Sequence, residues 1–355
     1  MEGMAAIKGK QLYYEIAMDE ERILADGIYD LEAIYACMDE AFTINDCILA
    51  KIDGKKRIYT RNKDNKDLEK LWLAVGMFDE TYWFEKYACH YMFYPMDEAE
   101  EDWLEECGIL LRRSIRDKVR ELVNDMKEVS NTVQYSDVIK KFLVETSYQC
   151  TETDDFLLFH QKDFVDYKTG MRLMSVSLEQ CEKAQIASLI CLMQKNELPD
   201  SIMVAFLKNP DEKKQGIKNL VKLLKKTKKT YRAIVLDITN TGWEESCDYT
   251  VENCYLTGRM YKNLVSVLHM KGRRWKIIPQ DRQMLKGILF DDKYFTTNAP
   301  RGKDCDYYQE FGVNCFSYCL PTQGEIKNGE KITIDMYRLG WYVYKLIDLA
   351  NEKNL

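Results

Sequence analysis

The fold is decided by two stretches, Phe156-Leu-Leu-Phe-His160-Gln-Lys-Asp163 and Arg232-Ala-Ile-Val-Leu-Asp237. Each is a short apolar run of the kind that predicts a buried strand. Each also leads into polar side chains, which are His160 and Asp163 in the first stretch and Asp237 in the second. In open α/β sheets the ends of strands line the ligand-binding crevice, and His and Asp are common metal ligands. The two stretches therefore predict strand ends that carry chemistry.

From about residue 134 onward, strand and helix patterns alternate. Helical periodicity covers Leu178–Lys195, the lysine-rich segment Lys214–Thr227 and the C-terminal segment Ile334–Asn351, and Ser201–Leu207 is a further apolar strand. Alternation of this kind is typical of an α/β fold. We therefore expect residues 133–355 to form an α/β domain with a mixed, mostly parallel sheet flanked by helices.

The first 132 residues have a different pattern. Tyr29–Met38 carries apolar side chains at helical spacing, and the strand patterns Cys47–Ile52 and Arg57–Thr60 flank an Asp53-Gly54 turn. An Asp-Gly pair between two strand patterns predicts a β-hairpin. We expect residues 1–132 to form a smaller α+β N-terminal module.

Composition limits the classes of partner. The chain has 355 residues, of which 46% are hydrophobic and 31% charged, so it has enough apolar residues for substantial cores. Its formal net charge is −7, which disfavours nucleic acid as a partner. No apolar run approaches the roughly 20 residues that span a bilayer. We expect no nucleic-acid partner and no membrane partner.

The cysteines bear on the cellular compartment. The chain has twelve of them and no C-x-x-C pair, and its first eight residues, Met1-Glu-Gly-Met-Ala-Ala-Ile-Lys8, lack the pattern of a secretory signal. Scattered cysteines without such a signal favour reduced thiols over a disulfide framework. We expect a cytoplasmic protein.

The element order from residue 155 to 351 resembles the di-zinc aminopeptidase and deacylase superfamily, which has a zinc exopeptidase-like fold. The likeness covers about 200 residues and is carried by four stretches: Leu198–Glu212, Gly216–Leu220, Ala233–Thr239 and Gly312–Glu325. The resemblance implies a sheet whose strand ends hold two metal ions.

Only part of that metal site has a counterpart in this sequence. The family's first ligands resemble His160 and Asp163, with Asp163 one residue later than the pattern requires, and a later aspartate ligand resembles Asp237. The bridging aspartate falls within 179–183, where Cys181 is nearest and Glu179 or Glu182 is an alternative. The remaining positions fall on residues of mixed chemistry: the glutamate pair on Asp211-Glu212 or Lys213-Lys214, and the closing histidine near Lys327.

A hydrolytic zinc site needs about three deprotonated protein ligands and a position for water. The residues left for this role are His160, Asp163 and Asp237 as metal ligands and Glu212 as general base. Three of these positions also have an ordinary structural interpretation: His160 as a hydrogen-bonding strand-end histidine, Asp237 as a cap, and Asp211-Glu212 as a helix N-terminus after Pro210.

The sequence therefore predicts an aminopeptidase-like pseudoenzyme with a degenerate metal site and no cofactor. It would bind a peptide, a small ligand or a protein partner, or have a structural role in a homo-oligomer. The alternative is a divergent metal-dependent aminopeptidase or other amide hydrolase that uses Zn or Mn.

Overall fold

The structure of the protein is a computed structural model. It describes most of the chain, and the descriptions below concern these residues: 12–62, 69–79, 81–95, 100–161, 171–208, 213–225, 231–240, 242–244, 247–252, 255–256, 258–270, 304–324 and 332–352.

Backbone contacts divide the chain into two compact units, with the boundary between Leu111 and Arg112. This boundary lies about one helix before the boundary at residue 132 that the sequence pattern predicts. Expression of the separate pieces would establish which of them folds alone. The first unit below comprises the described residues up to Leu111, and the second comprises those from Arg112 onward.

The first unit is an antiparallel five-stranded sheet in the order β2-β3-β1-β4-β5. Its strands are β1 (Tyr13–Met18), β2 (Cys47–Asp53), β3 (Lys56–Arg61), β4 (Ala88–Tyr94) and β5 (Glu101–Asp102). Five helices accompany the sheet: α1 (Glu20–Asp26), α2 (Leu31–Ile44), α3 (Glu69–Val75), α4 (Tyr82–Tyr87) and α5 (Trp103–Glu106).

The predicted hairpin is confirmed, because β2 and β3 pair antiparallel with Asp53 opposite Lys56. Gly54 in the turn has a φ of 61°, a left-handed conformation that glycine adopts without strain. The core of this unit is rich in aromatic side chains: the rings of Phe42 and Tyr59 stack 3.8 Å apart, and Trp83 is fully buried.

The second unit is built on a seven-stranded sheet in the order β11-β12-β10-β8-β9-β7-β6. Its strands are β6 (Tyr148–Glu152), β7 (Phe156–Gln161), β8 (Met171–Ser177), β9 (Ile202–Leu207), β10 (Tyr231–Thr239), β11 (Thr250–Glu252) and β12 (Asn314–Pro321). Seven helices complete its described part, the first of which begins just before the boundary: α6 (Ile109–Asp125), α7 (Thr132–Leu143), α8 (Lys183–Gln194), α9 (Lys213–Lys225), α10 (Gly258–Met270), α11 (Asp304–Glu310) and α12 (Met336–Asn351).

The predicted α/β class is confirmed, and the sheet is mixed. The four central strands β12, β10, β8 and β9 are parallel to one another, whereas β11, β7 and β6 pair antiparallel with their neighbours. Because the central strands run in one direction, their carboxyl ends lie at one edge of the sheet. We call this the carboxyl edge.

A hydrophobic core fills one face of this sheet. Helix α9 contributes the buried apolar stripe that its sequence periodicity predicts, with Ile217 and Leu220 fully buried. These side chains pack with Leu173, Ala205 and Val235 from the central strands. Four lysines of α9, which are Lys214, Lys218, Lys222 and Lys225, are exposed. None of the described helices combines the length and the apolar composition that crossing a membrane requires.

Candidate functional site

Polar residues occupy the carboxyl edge at the ends of three parallel strands. Strand β8 ends at Ser177, β10 carries Asp237 and Thr239 near its end, and Thr322 follows β12. Along the sheet, Asp237 pairs with Cys319 of β12, and Val235, two residues earlier, pairs with Ser175 of β8. The backbone register therefore brings Ser177 and Asp237 to the same level of neighbouring strands.

Ser177 is committed to an internal hydrogen bond. Its Oγ donates to Oδ2 of Asp304 over 2.7 Å, and Asp304 is the first residue of α11. Ser177 is fully buried and Asp304 is 6% exposed. A buried carboxylate needs such partners because its removal from water is costly. This hydroxyl therefore connects the end of β8 to α11.

Asp237 also forms hydrogen bonds within the protein, one through its carboxylate and one through its backbone carbonyl. Its Oδ1 accepts from the backbone N–H of Ile238 over 2.8 Å, and its backbone carbonyl accepts from Nε2 of Gln185 over 3.0 Å. Asp237 is 7% exposed. One interpretation of the sequence is that Asp237 acts as a cap, and the hydrogen bond from the backbone N–H of Ile238 to its carboxylate is of this local kind. The bond from Gln185 joins the end of β10 to helix α8.

The turn between β8 and α8 brings further acidic groups to the carboxyl edge. Cys181 Sγ lies 3.6 Å from Oε2 of Glu179, and Glu182 is 4% exposed. Burial raises the pKa of Tyr342 well above its usual value, and the nearby groups of Cys319, Asp237 and Glu182 raise it further. Glu182 and Asp237 therefore both lie near one buried phenol.

The loop after β10 is fixed by an arginine of the C-terminal helix. Nη1 of Arg338 donates to the carbonyl of Trp243 over 3.0 Å, and its guanidinium carbon lies 4.4 Å from the centre of the Trp243 indole ring. Such a cation–π contact favours a fixed orientation of both groups. Trp243 is half-buried and lies just beyond the end of β10.

His160 lies towards the opposite edge of the sheet. Strand β7 is antiparallel to β9, with Phe156 opposite Leu207 and Phe159 opposite Val204. Leu207 also pairs with Ser177, so Phe156 is level with the carboxyl edge and His160 is four residues away from it. At a rise of about 3.3 Å per residue this is roughly 13 Å along the strand, in addition to the three strand spacings between β7 and β10.

The structure therefore does not bring His160 and Asp237 together as ligands of one ion. The imidazole of His160 is half-buried, and its Nδ1 lies 3.0 Å from the carbonyl oxygen of Gln161. The other two residues of the predicted site, Asp163 and Glu212, lie outside the described residues, as does Lys327. Their predicted roles remain predictions.

The residues that the structure describes do not fit a di-zinc centre. A zinc site takes three or four deprotonated nitrogen, sulfur or oxygen ligands within about 2.3 Å of the ion. Within the described ranges, no three side chains of His, Cys, Asp or Glu are grouped closely enough to hold a metal ion. What this part of the carboxyl edge offers is a set of hydrogen-bonded polar groups, among them Ser177 and Asp237.

Ser177 is not among the sequence candidates for this edge, whereas Glu182 is among them as an alternative for the bridging aspartate. Ser177 ends the first of the central parallel strands along the chain, and Glu182 follows it by five residues. The signal was the apolar segment Met171–Ser177, which reads as a strand followed by a helix start. The family resemblance instead indicates His160 and Asp163 as the first ligands.

No protein-family model matches the sequence, and no curated protein matches it. Among solved structures, the LapA aminopeptidase of Legionella pneumophila is 9% identical, with 98% of this chain and 100% of that chain covered and a TM-score of 0.45. The Bacillus subtilis YXEP protein, a dinuclear metal binding peptidase of the M20 family, is 12% identical, with 67% and 98% covered and a TM-score of 0.42. A glutaminyl cyclase of Macrostomum lignano is also 12% identical, with 68% and 91% covered and a TM-score of 0.40.

Proposed function

We propose that the second unit is an aminopeptidase-like pseudoenzyme that binds a peptide, a small ligand or a protein partner at the carboxyl edge without hydrolysing it. One observation carries this proposal: the hydroxyl of Ser177 and the carboxylate of Asp237 are both engaged in internal hydrogen bonds. Groups used in this way hold the edge in shape but are poorly placed to activate water.

Open α/β sheets bind ligands at the carboxyl ends of their strands whether or not they catalyse a reaction. Here the edge combines the buried acids Glu182 and Asp237 with the half-buried indole of Trp243. Acidic groups and an aromatic ring favour ligands with a cationic group, such as the amino terminus of a peptide. The scattered cysteines support a cytoplasmic location for this binding. The proposal also includes a structural role in a homo-oligomer.

A divergent metal-dependent hydrolase is the second candidate. It is favoured by the position of Glu182 and Asp237, which both raise the pKa of the buried Tyr342. Two carboxylates are fewer than the roughly three ligands of a hydrolytic zinc site. This candidate therefore needs a further ligand and a base, such as Asp163 and Glu212, from outside the described residues.

The two candidates differ in turnover. We would screen short peptides by thermal shift and then incubate each stabilising peptide with the protein in the presence of Zn²⁺ or Mn²⁺, following cleavage by mass spectrometry. The proposal expects peptides that raise the melting temperature and remain intact. Asp237→Asn should weaken this stabilisation, whereas His160→Ala, near the opposite edge, should not. Cleavage that depends on added metal and is lost in Asp237→Asn would establish the hydrolase instead.

A further inference from the structure

Helix α9 has a charge pattern that the proposed function does not explain. Its thirteen residues, Lys213–Lys225, include five lysines and no acidic residue, although the whole chain has a net charge of −7. Residues four apart lie on the same face of a helix, and a residue three further on continues that face. Four exposed lysines follow this spacing and form one row along the outer side of α9: Lys214, Lys218, Lys222 and Lys225.

Other surface helices of the same unit pair their lysines with acids. Lys118 of α6 lies 2.7 Å from Glu121, and Lys140 of α7 lies 3.3 Å from Asp137, both at a spacing of three residues. Mixed charges of this kind are what a solvated helix face carries. Helix α9 has no acidic residue with which to form such pairs. Its single-sign row therefore creates a local positive potential on an acidic protein.

The two ends of the row are held by residues of the neighbouring helix α11 and the turn after it. Lys214 forms an ion pair of 2.6 Å with Glu310, and Lys225 Nζ donates to the carbonyl of Phe311 over 2.7 Å. The two central lysines differ. Among the residues that the structure describes, neither Lys218 nor Lys222 has a carboxylate within ion-pair distance.

A groove runs beside these two central lysines. Its cavity measures about 460 Å³ and is lined by Lys218, Val221, Lys222, Lys225, Glu310, Phe311 and Gly312. The carboxylate of Glu310 is held by Lys214 in the ion pair described above. The apolar part of its lining, which we call the floor, is formed by Val221 and the half-buried ring of Phe311. An apolar floor with a charged rim is the anatomy of a protein interface. We call this feature the lysine groove.

We propose that the lysine groove binds an acidic polypeptide segment that places an apolar side chain on the floor and carboxylates against Lys218 and Lys222. Lysines four residues apart are separated by about 6 Å along the helix axis. Acidic side chains on one face of an extended segment repeat at about 6.6 Å. An extended segment with acids at alternate positions therefore matches the row of lysines.

An acidic polypeptide fits this surface better than a nucleic acid does. The protein's overall charge of −7 disfavours a long polyanion, whose binding requires positive charge over an extended surface. A short acidic segment stays within the row. The apolar floor also needs an apolar side chain as its occupant. This inference concerns a surface separate from Asp237 and goes beyond the function proposed for the carboxyl edge.

The test uses the full chain and a fluorescein-labelled peptide, Glu-Leu-Glu-Phe-Glu-Leu-Glu, followed by fluorescence anisotropy. We expect saturable binding at about 50 mM salt that weakens at about 300 mM, because salt screens exposed charges. The double variant Lys218→Glu/Lys222→Glu should bind at least about tenfold more weakly, which corresponds to about 1.4 kcal/mol. The matched control Lys127→Glu/Lys141→Glu changes the net charge equally at exposed lysines outside the groove and should retain the affinity of the unmodified chain.

Three further arms make the result decisive. Circular dichroism of both double variants checks that the fold is kept. The variant Asp237→Asn should bind the acidic peptide normally, so failure at the carboxyl edge and failure at the lysine groove are distinguishable. No peptide binding, equal loss in both double variants, or tighter binding of a single-stranded RNA oligonucleotide than of the peptide would overturn the proposal.

Discussion

Tyr318 and Tyr342 are joined by a reciprocal pair of hydrogen bonds. The hydroxyl of Tyr318 donates to the backbone carbonyl of Tyr342 over 2.9 Å, and the hydroxyl of Tyr342 donates to the carbonyl of Tyr318 over 3.1 Å. The two rings stack with their centres 4.5 Å apart, and both side chains are fully buried. Tyr318 belongs to the central part of β12 and Tyr342 to α12, so this pair fixes the C-terminal helix on the sheet.

We predict that Tyr342→Phe destabilises the protein by about 1 kcal/mol, the usual net contribution of one buried hydrogen bond. The stacked rings remain, so the loss reports the hydroxyl alone. The measurement is the free energy of unfolding in urea. The matched control is Tyr307→Phe in α11, a half-buried tyrosine, which should change stability by less than about 0.5 kcal/mol. Equal losses in the two variants would count against the reciprocal pair.

The same pair predicts a stability loss at high pH. Burial raises the pKa of both Tyr318 and Tyr342 well above the usual value of about 10. Below pH 10 both phenols are protonated in the folded and unfolded chains, so the stability is complete. Above pH 10 the unfolded chain releases these protons and the folded chain does not, so stability falls as pH rises. Urea unfolding between pH 8 and 11 should show a smaller decline in the double variant Tyr318→Phe/Tyr342→Phe; an unchanged slope would contradict the assignment.

A matched pair of glycines tests the packing of helix α12. A Cβ at Gly340 would lie 3.0 Å from Cγ and 3.1 Å from Cδ of Arg116, whose guanidinium carbon lies 4.6 Å from the centre of the Tyr337 ring. A Cβ at Gly216 in α9 would meet nothing nearer than 3.7 Å. Gly340→Ala should cost about 1–3 kcal/mol through overpacking, whereas Gly216→Ala should be neutral or stabilising by up to about 1 kcal/mol. The measurement is the free energy of unfolding of each variant in urea. A stabilising Gly340→Ala would show that the Arg116 side chain moves aside.

A second glycine comparison tests the loop after β10. Gly242 has a φ of 81°, and a Cβ there would lie 3.0 Å from both Cys247 Cβ and Thr250 Cγ2. Gly54 in the β2–β3 turn has a φ of 61° and open space around it. Gly54→Ala should cost only the backbone strain of about 1–2 kcal/mol. Gly242→Ala adds a steric clash and should cost at least about 1 kcal/mol more. Similar melting temperatures for the two variants would show that the loop yields freely.

Local patterns predicted the elements of the second unit well. The apolar runs at Phe156 and Arg232 are both inside strands, β7 and β10, and the apolar stripe of α9 is buried as its periodicity indicates. These features depend on neighbouring residues in the sequence, because side-chain spacing along one element decides which face is buried.

The direction of β7 was not predicted, and this decides the site. Alternation of strands and helices favours parallel pairing, but β6 and β7 form a hairpin around Thr153-Asp154-Asp155 and β7 pairs antiparallel with β9. Strand partners are chosen by contacts between distant parts of the chain, which a local pattern does not encode. The short polar turn before Phe156 was the available signal. The antiparallel direction of β7 places His160 four residues away from the level of the carboxyl edge, where Asp237 lies.

We propose that the carboxyl edge is a binding surface and not a zinc centre. The most direct test is equilibrium dialysis of the full chain against micromolar Zn²⁺, with the bound metal measured by mass spectrometry, because a true site retains metal at stoichiometry. We predict fewer than about 0.1 zinc ions per chain in the unmodified protein and in Asp237→Asn alike. About one or two ions per chain, lost in Asp237→Asn and kept in His160→Ala, would contradict the account.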